Sequence, residues 1–496
     1  MEVDALTIVL TVAIVVAIAL VKFNNTEPDV HPLLLQQQSS VTSIRNKGES
    51  LIHRAKTVTH GSPLLKQPTE DVRTLHDVWQ KGAAINPAGR SMMFMLKSMP
   101  MFADSFVAQQ AFYRYSFVAV PIHDLRNSDL LVEIVKQTKL EAIIVSQKVL
   151  PLLLQALKDC PSIKTIIMTG IYISDEQLRI ADQHGAKLIK FASVEYEGSW
   201  SPLEHVRPDP EDVAIINYNT KSTSLSEGVM LTHANLVAAT TAFTASLPGA
   251  KRFTSKDRLL SHFSNGDVIA VWMSSAIILA GGSLIFPSGL MKNVLHDSQS
   301  SLPTIFASTP IILEKMHEAL QLTYGQGSLF KRAFVAKQTL LKAGHITQTS
   351  LWDFIGLGEV RSKLGGKVRM IVTTNPTKEE TLEYIRAALG IHVISTYGRT
   401  ETSGIVTSRN MYDYENTPQL GAPVGCNEVK LLDDVEGKYT SADEPNPRGE
   451  ILVRGPNVMK GYYKKPNASS TALDNGGWFH SGELGTLHPN GTLEVL

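Results

Sequence analysis

Ala214-Ile215-Ile216-Asn217-Tyr218-Asn219-Thr220-Lys221-Ser222-Thr223-Ser224-Leu225-Ser226-Glu227-Gly228-Val229-Met230-Leu231-Thr232-His233-Ala234-Asn235-Leu236 is the stretch on which the reading of this chain turns. A short apolar run, suited to a buried strand, leads into a hydroxyl-rich loop and then an Asn-containing helix start. A loop between strand and helix can hold phosphate through backbone N–H groups and Ser/Thr hydroxyls. The same residues also read as an ordinary Ser/Thr turn, and on this stretch alone both readings stand. On its N-terminal side, Phe117 to Pro121, Ala142 to Ser146 and Thr165 to Thr169 are further apolar runs of strand length. With Ala214 to Asn217 they suit buried parallel strands. Amphipathic stretches, Ser128 to Gln137 and Leu152 to Lys158, lie between them. The alternation predicts an α/β domain with parallel sheets flanked by helices. From Gly449 to Leu496 glycine and short β runs increase, which predicts a β-rich subdomain.

Composition bounds the function. Hydrophobic residues make up 43% and charged residues 19% of the 496, as in a globular protein. Formal net charge is zero. That excludes binding to nucleic acid by bulk charge, so no nucleic-acid partner is expected. The two cysteines, Cys160 and Cys426, lie far apart, which fits a reducing compartment and two buried thiols.

The N-terminus differs in kind. Ala5 to Val21 carries no charge, and Phe23 extends the span once Lys22 snorkels. We expect a transmembrane anchor over 5–23. A cleaved signal peptide fits poorly, because Glu2 and Asp4 precede the span and no small-x-small site follows. Lys22, Arg45, Lys47, Arg54 and Lys56 follow it, so the positive-inside rule places the domain in the cytosol, with the endoplasmic reticulum the default membrane. The sequon Asn24-Asn25-Thr26 would then go unused. Residues 24–75, polar and irregular with Gln36-Gln37-Gln38 and Ser39-Ser40, predict a flexible linker. The large domain is expected over 76–496.

A second motif, Ile394-Ser395-Thr396-Tyr397-Gly398-Arg399-Thr400-Glu401-Thr402, follows the apparent strand His392-Val393-Ile394. A carboxylate suits a triphosphate only through a divalent cation, since Mg²⁺ prefers oxygen ligands and bridges to phosphate. This segment and Gly228-Val229-Met230-Leu231-Thr232-His233 resemble the adenine and phosphate-loop motifs of the adenylate-forming (AMP-binding) superfamily. The flanks resemble its long-chain acyl-CoA synthetase branch. They are Val360 to Thr373, Gly421 to Leu431, Arg448 to Tyr463, and Gly477 to Gly485. The resemblance implies the superfamily's large N-terminal domain, ATP, Mg²⁺ and CoA as cofactors, and a long-chain fatty acid as substrate. It implies that Ser222 and Thr223 hold phosphate and that Tyr397 and Gly398 pack on adenine. Thr400 would contact the α-phosphate, Glu401 would bind Mg²⁺, and Glu483 would take the ribose hydroxyls.

Departures from the family pattern set the second reading. Lys221 and Ser224 stand where the family has glycines, which let the backbone approach phosphate. Ser226-Glu227 stands for Pro-Lys, reversing a charge. A unit charge about 4 Å away contributes on the order of 4 kcal/mol at an effective dielectric near 20. Glu483 replaces an aspartate. Thr374-Asn375-Pro376 departs from Gly-Ala-Ala-Pro, and Ile311 stands for an arginine. Our register puts Asp267 where the family has a histidine near the acyl carboxylate, with His262 close by. Between Gly82 and Met99 the chain is shorter than its relatives. The family continues into a hinge and a small domain with an assisting lysine, so the sequence ending at Leu496 is expected to lack that small domain. Two functions are therefore carried forward. One is ATP-dependent activation of long-chain fatty acids to acyl-adenylate and acyl-CoA, in impaired form. The other is a membrane-anchored pseudoenzyme that binds an acyl chain, nucleotide or partner enzyme.

Overall fold

The computed structural model describes residues 10–11, 13–14, 28–42, 46–58, 61–86, 94–95, 100–122, 128–218, 227–264, 266–288, 293–374, 377–415, 417–434 and 436–496. The largest sheet has eight strands, in the order Ala422–Pro423, Thr407–Ser408, His392–Tyr397, Met370–Thr374, Ile305–Ser308, Arg258–Ser261, Ser283–Phe286 and Phe94–Met95. The last six run parallel. Their residues alternate between two cores, as the two-residue period of a strand demands. Ile305, Ala307, Met370, Val372 and Ile394 join the core shared with helices His233–Ser246, Val268–Leu279 and Leu75–Ile85. Phe306, Ile371 and Val393 face helices Pro310–Tyr324, Ser328–Lys342 and Glu379–Leu389. Burial on both faces is why these strands read as near-continuous apolar runs.

Ala142–Ser146, Thr165–Thr169 and Lys187–Lys190 make a second parallel sheet with its own core. The first two match their predicted bounds. Phe117 to Pro121 does not form a strand. Ala119 alone bridges to Ile215, while Phe117 and Val118 lie exposed. Pro121 ends the run and lacks a donor for further pairing.

The opening stretch is also corrected. Val213–Tyr218 pairs antiparallel with Gly228–Thr232, and Gly461–Tyr462 adds a third strand. The loop thus joins strand to strand, and only then does Thr232 cap the helix His233–Ser246 in a capping box with Asn235. Gly228 to Thr232 alternates too little to betray a strand beside a loop.

Among the described residues of the expected linker, 28–42, 46–58 and 61–75, there is folded structure. Ser39–Val41 pairs with His53–Ala55, which pairs with Glu428–Leu432 in a six-stranded antiparallel sheet. Arg448–Arg454, Phe479–Leu487 and Leu493–Val495 complete that sheet, so the predicted β-rich end is present. Charge pairing replaces apolar alternation here, which is why the segment reads as polar tether. Arg54 and Arg454 both pair with Glu428, and Lys430 Nζ lies 2.6 Å from Glu49. Further upstream the Asp29 carboxylate accepts from Ile346 N (2.9 Å) and Tyr414 hydroxyl (2.9 Å), and meets His345 Nδ1 at 2.7 Å.

Of the expected anchor over 5–23, only Leu10, Thr11, Ala13 and Ile14 are described, all helical; the rest lies outside the described residues. Among the described residues no helix is long and apolar enough to cross a membrane. Cys160 and Cys426 are both buried free thiols.

Candidate functional site

In a parallel sheet, ligands bind beyond the carboxyl ends of the strands. Tyr397 ends its strand there. Its hydroxyl donates to Glu483, whose other carboxylate oxygen lies 3.2 Å from Arg399 Nη1. Arg399 Nε is 3.7 Å from Glu401 Oε2, and Tyr462 hydroxyl donates to Glu401 Oε1 at 3.1 Å. Four of the residues implied by resemblance, Tyr397, Gly398, Glu401 and Glu483, thus meet in one polar chain or beside it. Burial, with Glu483 adjacent, pushes the Tyr397 hydroxyl above its ordinary range. Burial, with Glu401 and Glu227 near, does the same for Tyr462. Both phenols remain donors at physiological pH.

The turn that places Glu401 is held by backbone contact. Thr400–Thr402 is one turn of 3₁₀ helix, with Thr400 half-buried at its start. Arg399 N donates to Thr402 Oγ1 (3.0 Å) and Gly404 N to Arg399 O (2.8 Å). A Cβ on Gly398 would lie 2.4 Å from Ile405 N, so glycine is required for this close approach. Buried Asn457 donates to the carbonyls of Thr402 and Ile405, both at 2.8 Å. Met459 N reaches Glu401 O at 2.8 Å. Asn235 ties the helix after the loop to Pro456 O (2.8 Å) and Val458 O (2.9 Å).

Arg399, Asn457 and Tyr462 are the site residues that the sequence did not single out. All three sit inside quoted motif runs. The signal for Tyr462 was its place in a conspicuous Gly-Tyr-Tyr; what it touches needed the fold.

Ser222 and Thr223 lie outside the described residues, as do Asn375 and Pro376. The loop's exit is fixed, because Tyr463 N donates to Gly228 O at 2.7 Å. Glu227 stands at that exit, 3.8 Å from Lys465 Nζ.

The sequence register set Asp267, with His262 close by, against the family's histidine. Asp267 begins the helix Val268–Leu279 and accepts from Ser264 N at 3.1 Å. His262 instead follows the strand Arg258–Ser261 directly, at the carboxyl edge of the parallel sheet, its ring 5.1 Å from that of Phe306. Both its ring nitrogens are buried without a partner among the described residues. Burial lowers its pKa to about 4, so the ring is neutral at physiological pH. Ile311 is exposed at the start of its helix.

Residues 97–463 match the family described as AMP-binding enzyme. The chain belongs to the AMP-binding enzyme family. Among its AMP-binding relatives is the peroxisomal long chain acyl-CoA synthetase 6 of Arabidopsis thaliana, 31% identical over 79% of this chain and 56% of that one. Another is the rat long-chain-fatty-acid–CoA ligase 5, 28% identical over 86% of this chain and 68% of that one. This AMP-binding chain thus spans between about half and two thirds of their length. The fold is similar to that of the N-terminal domain of FACL13 from Mycobacterium tuberculosis, with a TM-score of 0.60 and 15% identity, covering 85% of this chain and 99% of that one.

Among the described residues no group of three or more His, Cys, Asp or Glu could hold a metal alone. A lone carboxylate such as Glu401 suits Mg²⁺ only where phosphate oxygens complete the shell. That donor set fits Mg²⁺, and Glu401 is the carboxylate that would hold it.

Proposed function

We propose that this chain binds ATP and a long-chain fatty acid and activates the acid to acyl-adenylate and then acyl-CoA, at a rate held down by Glu227. The convergence of Tyr397, Glu401, Tyr462 and Glu483 at the carboxyl edge of the parallel sheet carries this reading. Tyr397 and Gly398 offer a flat face for adenine, and Glu483 an acceptor for ribose hydroxyls. Thr400 lies beside the α-phosphate position, and Ser222 and Thr223 serve the remaining phosphates. Mg²⁺ on Glu401 would neutralise phosphate charge. Neutral His262, without a ring partner among the described residues, faces the acyl carboxylate in the role the family gives its histidine. Residues 5–23 anchor the chain in a membrane, with the domain in the cytosol and the endoplasmic reticulum as the default location.

One observation favours the second reading, a membrane-anchored pseudoenzyme. Glu227 brings a carboxylate to the loop exit and takes up Lys465. Among the described residues it makes, with Glu401 and Glu483, three carboxylates beside Arg399 and Lys465. ATP–pyrophosphate exchange with palmitate or oleate separates the two. Exchange above background sinks the pseudoenzyme. Nucleotide binding without exchange, even after Glu227→Lys, sinks the enzyme.

A further inference from the structure

The helices Ser328–Lys342 and Leu351–Ile355 form one unit on the outer layer. Lys337 Nζ meets Asp353 Oδ2 at 3.0 Å, and both side chains are buried between the helices. A Cβ on Gly356 would lie 2.8 Å from Ala333 Cβ and 3.5 Å from Leu329 O, so the end of the second helix sits on the start of the first. With Ala333, Lys337 and Asp353 turned inward, the outward surface mixes apolar residues with the exposed Ser328, Lys331, Arg332, Thr339 and Lys342. Leu329 is 45% exposed, Val335 60%, Leu351 44%, Phe354 67% and Ile355 52%. Leu329, Arg332 and Val335 repeat every three residues, one side of a helix. Lys331, Arg332 and Lys342 stand exposed on the same helix. An apolar surface of this kind rimmed by cations marks an interaction site.

The path of the chain says what covers it. Asp29 is bonded to His345 and Ile346, in the loop joining the two helices, and Asp29 N donates to Gly344 O at 2.8 Å. A Cβ on Gly344 would lie 2.9 Å from Pro28 Cβ. The apolar segment ends at Phe23, five residues before Pro28. Five extended residues reach at most about 17 Å. A segment buried in lipid therefore holds the loop 344–346, and the helices on either side of it, close to the bilayer.

We propose that the face carrying Leu329, Val335, Leu351, Phe354 and Ile355 rests on the surface of an anionic lipid bilayer. The apolar side chains enter the headgroup boundary, and Lys331, Arg332 and Lys342 meet anionic headgroups, as in monotopic membrane contacts. This rests on the anchor assigned to residues 5–23 only for the identity of the surface; the contact itself is a second, peripheral one.

The test uses the full chain in vesicles of phosphatidylcholine and phosphatidylserine. Ile355→Cys is labelled with an environment-sensitive fluorophore, and nitroxide-bearing lipid is the quencher. Both native cysteines are buried and leave the label site-specific. Tyr172→Cys, in the small parallel-sheet unit, is the comparison. Several-fold stronger quenching at 355 than at 172 is expected, weakened by Lys331→Glu with Arg332→Glu and by removal of phosphatidylserine. Equal or absent quenching overturns the proposal. Alkaline carbonate extraction reports the anchor separately. A chain retained on extraction but unquenched at 355 refutes this contact and keeps the anchor. A chain extracted yet quenched keeps the contact and refutes the anchor. Loss of both signals refutes both.

Discussion

Replacing Gly398 with alanine tests whether the Tyr397–Glu401 turn is the recognition element. The added Cβ would sit 2.4 Å from Ile405 N and 2.5 Å from Gly404 C. Ordinary contact begins near 3.4 Å, so the turn must move by about 1 Å. The obstructing atoms are backbone, which no rotamer change can move aside. Overpacking of this kind costs about 1–3 kcal/mol. The displacement falls on the segment that sets Glu401 3.1 Å from Tyr462 and Arg399 3.2 Å from Glu483. A misplacement of about 1 Å in such a constellation costs roughly 100-fold. Gly398→Ala should therefore weaken binding of a fluorescent adenine nucleotide by about two orders of magnitude, while the urea midpoint falls only modestly. Isothermal titration and urea unfolding read the two effects separately. Nucleotide affinity within about twofold of the parent would refute the claim that this turn recognises adenosine.

Glu227→Lys removes the carboxylate beside Lys465 and should raise nucleotide affinity by about tenfold or more, given on the order of 4 kcal/mol for a nearby unit charge before screening; equilibrium dialysis checks it. Lys337→Met leaves Asp353 buried with Arg361, 3.4 Å away, as its one cationic partner among the described residues. Stripping one partner from a buried pair costs about 3–5 kcal/mol, and the remaining arginine puts the expected loss near the lower end, read as a lower urea midpoint. Stability should also fall with acid through His262. Its folded pKa lies near 4, below the 6.5 of the exposed ring, so the unfolded chain binds the extra proton between those values. The contribution is whole above pH 6.5 and is lost as pH falls towards 4, up to about 3 kcal/mol. His262→Phe should flatten that part of the curve in urea titrations run at successive pH values.

The parallel layers were legible because strands such as Ala142–Ser146 and Thr165–Thr169 carry short apolar runs, Ile143 to Val145 and Ile166 to Met168. The adenosine half of the site was legible because its residues lie within a few positions of one another or inside glycine-bearing runs. Polar pairing hid the rest. Arg54 and Lys430 satisfy Glu428 and Glu49 across strands hundreds of residues apart, and no local pattern records that. The antiparallel hairpin around the loop was hidden because Gly228–Thr232 is apolar on both sides and follows the hydroxyl-rich run at once. The two candidates for the family's histidine, Asp267 and His262, lie five residues apart, and no local pattern separates them.

The first strands of the chain close the sheet built by its last. Gln38 N donates to Asn490 O at 2.7 Å, and a Cβ on Gly491 would collide with Ser39. A ribosome would thus release Ser39–Val41 and His53–Ala55 long before their partners exist. At roughly 5–20 residues per second, the wait for Glu428–Leu432 lasts some tens of seconds. During that time the two early strands carry open hydrogen-bonding edges, and the Arg54 side chain discourages pairing with a wrong chain. Synthesis that stalls before Glu428 would leave those edges exposed for good, so a truncated product should be a chaperone or protease substrate even where its parallel sheets have formed.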